Sequence, residues 1–420
     1  MLKVAVAIGT RPEIVKMWSV LRELRSRDCI ETIVIHTNQH YDYEMSRIFF
    51  EELALSEPDY HLGVGSHTPV LQTTETASRT VDVLSKEGVD LVLVQGDTNT
   101  ALGCALAASL TGVALGHVEA GCRSFDRTMP EENNRIIIDS IADLMFASSE
   151  TAYYNLIREG RGPERTELVG NTALEALKEG LRLTASRKPP YEDPYCVATI
   201  HRPSNTDSRD RLKNIVRALD RLPIKCVFPV HPRTMKQMRR FHIEPGPSSN
   251  LELIAPMGYV SFVNLLVNSR LVITDSGGVQ EEAALLGKQT ITVRNSTEWP
   301  ETIWSGLNRL VAADDEAIVK AAHDALQTTR VTTPVTYQEG AGRRIVDKIV
   351  QVYKEGCLKQ REPTEPSGGY PTVRITPVRE ARVLMAFDGQ GYLTHGPGAE
   401  HYLVEDSVPY HHCATHGDSV

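Results

Sequence analysis

The sequence predicts an α/β protein made of two Rossmann-like, doubly wound domains that face one another across a central cleft, followed by a C-terminal appendage. Three observations carry that prediction. Short β-branched apolar runs alternate with helical patterns from the second residue onward. The series breaks once, at the polar, Pro-rich stretch LRLTASRKPPYEDP (181–194), and then starts again. The strand runs are apolar at successive positions, as strands covered by helices on both faces must be.

In the first half (1–180), strands are expected at Leu2–Ile8, Ile33–His36, Leu91–Gln95, Val113–Val118 and Leu144–Ala147. Helical patterns lie between them, as over Ile14–Arg27 and Leu71–Glu87. After the linker at 181–194, the second half (195–342) repeats the scheme with Tyr195–Ile200, Lys225–Val230, Leu251–Ile254, Leu271–Thr274 and Gln289–Val293. A final amphipathic helix over Arg343–Glu355 (within 343–357) closes the body. Beyond it REPTEPSGGYPTVRITPVRE is rich in Pro, Gly and charge. Residues 358–420 therefore read as a partly flexible appendage with a small β element near Ala381–Leu393.

Composition narrows the class. The 420 residues carry 45 Lys+Arg against 54 Asp+Glu, a net charge of −9, with 41% hydrophobic residues. That suits a globular chain of two or three domains at ~100–200 residues each. Charges interrupt every apolar run before the ~18 residues of a membrane span. Met1-Leu2-Lys3 runs straight into a strand pattern with no leader-like stretch. An acidic balance disfavours nucleic acid as partner. The seven cysteines are scattered without a C-x-x-C pair, as expected of small core residues in a reducing cytoplasm.

Five segments bear chemistry. Gly9-Thr10-Arg11-Pro12-Glu13 follows the first strand and opens a helix containing Lys16. Amides at such a turn face an anion, with Arg11 and Lys16 adding positive charge, although a plain tight turn has the same pattern. Thr274-Asp275-Ser276-Gly277-Gly278-Val279-Gln280-Glu281-Glu282 repeats the strand-to-helix logic, so that Ser276, Gly277 and Gly278 form a pyrophosphate cradle. Glu281 or Glu282, one turn in, is placed to accept from ribose hydroxyls. The G-x-G-x-x-G spacing is absent, and a dinucleotide acid would lie ~20 residues further on, so no NAD is expected.

The third segment is a set of acids: Asp97 and Glu119 just past apolar strands, and Glu131 and Glu132 opening a helix in MPEENNR. Ligands bind at the carboxyl ends of strands in open α/β sheets, and converging carboxylates raise one another's pKa, which suits acid–base work. Each alone also fits a helix cap or an ion pair. His201 and His231 end the first two strands of the second half and would face those acids. The pattern lacks H-E-x-x-H or an aspartate-rich metal motif, so no metal is expected. The His411-His412-Cys413-Ala414-Thr415-His416 end reads as an incidental cluster.

Taken together these segments resemble the non-hydrolysing UDP-N-acetylglucosamine 2-epimerase family, whose fold is the glycosyltransferase-B pair of Rossmann-like domains. GTRPEIVKM, HTNQHYDYEMSRIFFEEL, VQGDTNTAL, HVEAGCRSFDRTMPEENNR, VGNT, HRPSNTD, PVHPRT, TDSGGVQEEAALLGK and RNSTEWPET occur in family order over roughly residues 3–350. The resemblance implies a catalytic group of Asp97, Glu119, Glu131 and His201. It implies phosphate-side cations at Arg11 and Lys16, and a UDP site of Ser276, Gly277, Gly278 and Glu282, with Glu282 on the ribose. Arg135, His231 and Arg294 also fall on family motifs as substrate-side residues.

The implied reaction inverts C2 of a UDP-sugar without cofactor, through 2-acetamidoglucal and UDP. A homodimer and a place in polysaccharide synthesis come with the family. Glu298-Trp299 within TEWPE stands where many members have TERPE, and Ser204 where many carry Glu. The Trp form resembles a branch that includes epimerases of 2,3-diacetamido-glucuronate nucleotides, which leaves the C3 and C6 groups of the sugar open. A hydrolysing epimerase, an acceptor-dependent glycosyltransferase and a nucleotide-sugar sensor are the competing readings. Gln39-His40-Tyr41-Asp42 departs from the family's allosteric segment, so allostery is not carried over.

Overall fold

A computed structural model describes residues 1–38, 43–246, 249–328 and 335–359, and four short strands beyond them. Residues 1–359 form one compact unit and 360–420 a second. In the first unit β1 (Leu2–Ile8), β2 (Ile30–His36), β3 (Tyr60–His61), β4 (Leu91–Gln95), β5 (Ala114–Ala120), β6 (Leu144–Ala147) and β7 (Thr166–Leu168) make one sheet. Their order is β3-β2-β1-β4-β5-β6-β7, and every pairing is parallel. A second parallel sheet holds β8 (Tyr195–Thr199), β9 (Lys225–Pro229), β10 (Leu251–Ile254), β11 (Leu271–Thr274), β12 (Thr290–Thr292) and β13 (Asn308–Leu310). Its order is β10-β9-β8-β11-β12-β13. The two expected doubly wound sheets are thus present. Each reverses its winding once, between β1 and β4 and between β8 and β11, where a crevice opens at the carboxyl ends of the strands.

Strand β1 shows why the apolar runs are continuous. Leu2, Val4, Val6 and Ile8 enter one core cluster, while Ala5 and Ala7 enter the cluster on the opposite face. The first face packs the helix Arg11–Arg25 through Ile14, Met17 and Leu21. The second packs the helix Asn99–Thr111 through Ala101, Cys104, Ala105 and Ala108. Small side chains let that helix lie close to its neighbour: a Cβ on Gly103 would come within 2.6 Å of Thr76 Cβ.

Several boundaries differ from the sequence reading. The edge strands β3, β7 and β13 are two or three residues long and partly polar, too short to leave a run. The stretch expected as linker begins late: the helix Thr172–Thr184 continues into it, because Ala173, Ala176, Leu177, Gly180 and Thr184 form one buried face. The last helix, Ala341–Lys354, returns to the first half, where Ile345, Val346 and Ile349 join the cluster of β1. Leu358 is buried in the same cluster.

In the C-terminal unit Thr372–Arg374, Ala386–Phe387, Tyr392–Thr394 and Tyr402–Glu405 pair antiparallel, the first with the fourth, the fourth with the third and the third with the second. The expected flexible part of the appendage, its His-rich end and the Gln39–Asp42 segment lie outside the described residues. Among the described residues no helix is long and apolar enough to cross a membrane. Nor do three or more His, Cys, Asp or Glu among them gather as a metal site.

Candidate active site

The carboxyl ends of β1, β4 and β5 meet those of β8, β11 and β12. At the end of β1 the glycine turn has an anion, but it is internal. Glu13 accepts from the Gly9 and Thr10 amides (3.0 and 2.7 Å), from Thr10 Oγ1 (2.8 Å) and from Thr98 Oγ1 (2.7 Å). This capping arrangement corrects the expectation that the turn's amides face a ligand phosphate, since a buried carboxylate already occupies them. Burial pushes Glu13 up to about 7 against the pull of these donors. Gly9 is required for packing, because a Cβ there would stand 2.0 Å from Thr100 Oγ1.

Glu119 sits where the register of β5 against β6 slips, with a positive φ of 69° that non-glycine residues rarely adopt. Holding it there costs about 1–3 kcal/mol and turns the carboxylate out of the pleat into the crevice. Lys16 donates to Glu119 and lies 3.1 Å from Glu281 Oε2, with its ammonium 5.0 Å from the Trp299 ring centroid. Lys16 was expected on the phosphate side; it is instead held between two carboxylates and an indole face, because all three surround its buried ammonium. Burial raises Glu119 above the ordinary glutamate range, with Asp97 adding to the rise and Lys16 opposing it.

Asp97, at the end of β4, pairs with Arg135, whose other nitrogen donates to Glu132 (2.7 Å). The neighbours Glu131 and Glu132 have different fates. Glu132 is buried and accepts from the Ser124 and Phe125 amides, fixing the loop before its helix. Glu131 is one-third exposed and meets Arg202 Nη1 from the second half at 3.1 Å.

Arg202 also approaches Glu298 (3.7 Å), which lies 2.7 Å from Arg294 and 3.6 Å from Arg135. These three guanidinium groups hold the buried Glu298 carboxyl far below the usual range in spite of its burial. Arg294 keeps one buried nitrogen, Nη1, without a hydrogen-bond partner.

In the second half Asp275 clamps the end of β8 by accepting from the His201 and Arg202 amides and from Asn205 Nδ2, each at 3.0 Å. His201 then projects into the crevice. The enclosing walls lower its imidazole below the ordinary histidine value; Arg202 and Arg11 act the same way and Asp275 and Glu131 oppose them. Its ring centroid lies 5.8 Å from that of His231, whose Nδ1 accepts from the Arg233 amide and caps the helix Pro232–Phe241. Arg11 lies half-buried across from His201, 5.9 Å from the Phe49 ring.

Ser276 caps the helix Gly277–Leu285. A Cβ on Gly277 would come within 2.3 Å of Glu298 Oε1, whereas one on Gly278 would meet nothing within 4 Å. Gly278 thus presents open backbone at a helix N-terminus. One turn in, Glu281 is held by Asn171 Nδ2 and Lys16, while Glu282 lies beside the Tyr259 hydroxyl. Burial raises Glu281, with Lys16 drawing it back down and Glu119 adding to the rise, and pushes Glu282 up to about 7.

The residues singled out in the sequence therefore gather on one crevice. Asp97, Glu119, Arg135 and Lys16 come from the first half's strand ends; His201, Ser276, Gly278, Glu282 and Arg294 come from the second. Glu13 and Glu298 are not among the residues the sequence singles out, and Glu281, an alternative to Glu282 for the ribose, is paired with Lys16 and Asn171. TEWPE was visible as a motif, but nothing local signals that three distant arginines converge on its acid.

Two doubly wound sheets that bring carboxylates, an imidazole and buried guanidinium groups together at their switch points have the build of an α/β enzyme with acid–base groups and an anion-binding edge. The family model described as UDP-N-acetylglucosamine 2-epimerase matches residues 22–350, and the chain belongs to that family. The chain is 42% identical over 344 residues to the UDP-N-acetylglucosamine 2-epimerase of Methanococcus maripaludis, covering 79% of this chain and 93% of the relative. To the UDP-2,3-diacetamido-2,3-dideoxy-D-glucuronate 2-epimerase of Pseudomonas aeruginosa it is 38% identical over 358 residues, covering 84% of this chain and 100% of the relative. Among solved structures, the Methanocaldococcus jannaschii UDP-GlcNAc 2-epimerase in complex with UDP-GlcNAc and UDP superposes with a TM-score of 0.79 at 40% identity, covering 83% of this chain and 100% of that one.

Proposed function

We propose that this chain interconverts UDP-N-acetylglucosamine and UDP-N-acetylmannosamine without cofactor or hydrolysis. The observation that carries the reading is the convergence of Asp97, Glu119, Glu131 and His201 on one crevice in a chain that is 42% identical to a protein of that name. In the reaction a base takes the C2 proton. The freed electron pair forms the C1–C2 double bond, and the C1–O bond breaks onto the β-phosphate of UDP. Return of a proton to C2 from the other face, with attack of the phosphate oxygen on C1, gives the epimer. Inversion requires proton-transfer groups on both faces, which accounts for three carboxylates.

The second half holds the nucleotide. Ser276, Gly277 and Gly278 receive the pyrophosphate at the helix N-terminus, Glu282 accepts from the ribose, and Arg11 and Arg294 supply charge. Held this way, free UDP stays beside the glycal and re-adds in place. Arg135 and His231 set the positions of Asp97 and His201. The reading includes a cytoplasmic homodimer that supplies acetamido sugars for polysaccharide synthesis, which light scattering and cell fractionation test.

The decisive experiment is NMR of the purified protein with UDP-N-acetylglucosamine in D2O, without NAD, metal or acceptor. UDP-N-acetylmannosamine with deuterium at C2 is expected. Free N-acetylmannosamine with UDP would move the assignment to the hydrolysing reaction. No turnover, with conversion of the 2,3-diacetamido-glucuronate nucleotide instead, would move it to the activity named for the Pseudomonas relative.

A further inference from the structure

Glu281 has no part in the chemistry above, yet it is fully buried and belongs to the same charge network as Glu119. It comes from the helix Gly277–Leu285 of the second half; Lys16 comes from the helix Arg11–Arg25 of the first. One Glu281 oxygen is held by Asn171, whose own Oδ1 caps the helix Thr172–Thr184 at 2.8 Å from the Ala173 amide. The other lies 3.1 Å from the Lys16 ammonium, which also donates to Glu119 and sits over the Trp299 ring. Two carboxylates thus share one cation, each drawing charge that the other would use. Neither carboxylate has bulk water to compensate, because the Lys16 and Glu119 side chains are only 9% and 12% exposed and Glu281 is not exposed at all.

We infer that Glu281 is a positioning residue for epimerisation: it takes part of the Lys16 charge away from Glu119 and so sets the pH at which Glu119 exchanges its proton. The pair spans the two halves, so Glu119 has its working charge state only where the halves meet at Lys16. This inference rests on the proposed epimerase reading, in which Glu119 transfers a proton. The charged or titratable groups facing Glu119 are Lys16, Asp97, Arg135, Cys122, Tyr337 and, through Lys16, Glu281. Glu281 and Glu119 titrate as a pair around one ammonium; taking the carboxyl at 281 out of that pair leaves Lys16 wholly to Glu119 wherever Glu281 would carry charge, which stabilises the ionised form of Glu119 and lowers its pKa. The limb of the pH profile that reports Glu119 then moves to lower pH, whether Glu119 works as base or as acid.

The test is Glu281→Gln, which keeps an oxygen for Asn171, compared with wild type for kcat, KM and UDP affinity across pH. Expected are a roughly tenfold or larger fall in kcat, the Glu119 limb moved down by about one pH unit, and UDP affinity within about twofold of wild type. An unchanged profile and kcat would overturn the inference. So would a raised KM and weakened UDP binding at constant kcat, which would assign Glu281 to the nucleotide.

Carbon-13 NMR of the glutamate carboxyls, with Glu119 assigned through Glu119→Gln, follows the same titration without any turnover. It therefore separates failure of this inference from failure of the epimerase reading. If Glu281→Gln does not fold, Asn171→Ser keeps the helix cap but frees Glu281 to take up a proton. That variant must move the Glu119 titration in the same direction, by less; no movement would overturn the inference.

Discussion

Glu298→Gln isolates the cost of gathering three arginines on one carboxylate. In the native protein Arg294, Arg135 and Arg202 stand 2.7, 3.6 and 3.7 Å from Glu298, which is 6% exposed. The loss is not shared equally. Arg135 keeps Asp97 and Glu132, and Arg202 keeps Glu131, whereas among the described residues Arg294 keeps no ion pair, only the Met129 sulfur at 3.5 Å and the more distant charge of Asp126. The variant therefore leaves essentially one buried guanidinium without an ion-pair partner. Breaking such a pair costs about 3–5 kcal/mol, and the retained amide oxygen places the expected loss near the lower end, about 3 kcal/mol.

The effect depends on pH with a definite sign. The folded-state pKa lies below the ordinary glutamate value of 4.5, so the carboxylate's contribution is full above that pH and fades as pH falls through the folded-state value. Urea unfolding at pH 7 and at pH 4 measures it: the wild type should exceed the variant by about 3 kcal/mol at pH 7 and by less at pH 4. A gap below about 1 kcal/mol at pH 7 would show that the guanidinium groups find other compensation and refute the argument.

Other consequences are as direct. Asp97→Asn and Glu131→Gln should each lower turnover by ~10²-fold or more while leaving UDP affinity near wild type by calorimetry; equal activity would remove that acid from the mechanism. Glu282, raised to about 7, opposes folding of the ligand-free protein as pH climbs from the ordinary value of 4.5 through 7. Glu282→Gln should therefore stabilise the ligand-free protein at pH 8 but not at pH 4, and weaken UDP about tenfold or more, through the lost charged hydrogen bonds. Gly278→Ala should unfold at the wild-type urea concentration yet lose UDP binding, while Gly277→Ala should lose stability as its methyl meets Glu298. A chain ending at Lys359 should keep full turnover, whereas one ending at Cys357 should lose stability because Leu358 belongs to the core; equal unfolding curves for the two would contradict the packing argument.

How much the sequence showed depends on whether the deciding interaction was local. β1, β4, β6 and β11 lie where the apolar runs placed them, because a strand covered on both faces is apolar at nearly every position and leaves a legible run; the edge strand β10 is legible through Leu251, Leu253 and Ile254 in spite of Glu252. The edge strands β3, β7 and β13 left none. Chain order and switch-point logic put Asp97, Glu119, His201 and Ser276 at strand ends, and the family motifs supplied their grouping. The same reasoning misread Gly9-Thr10: it supplied amides for an anion, and a capping Glu13 three residues on had already taken them.

The sequence by itself determined the α/β class, the two sheets, the strand-end location of the chemistry and membership in the epimerase family, all of which rest on short-range periodicity or on contiguous motifs. The tertiary structure alone decided which charges pair. Lys16 lies between Glu119 and Glu281, Glu131 faces the cleft while Glu132 holds its own loop, and Glu298 collects Arg135, Arg202 and Arg294. Coulomb energies between buried groups depend on separations of a few ångströms and on the water removed around them, and neither quantity is written in the spacing of residues along a chain.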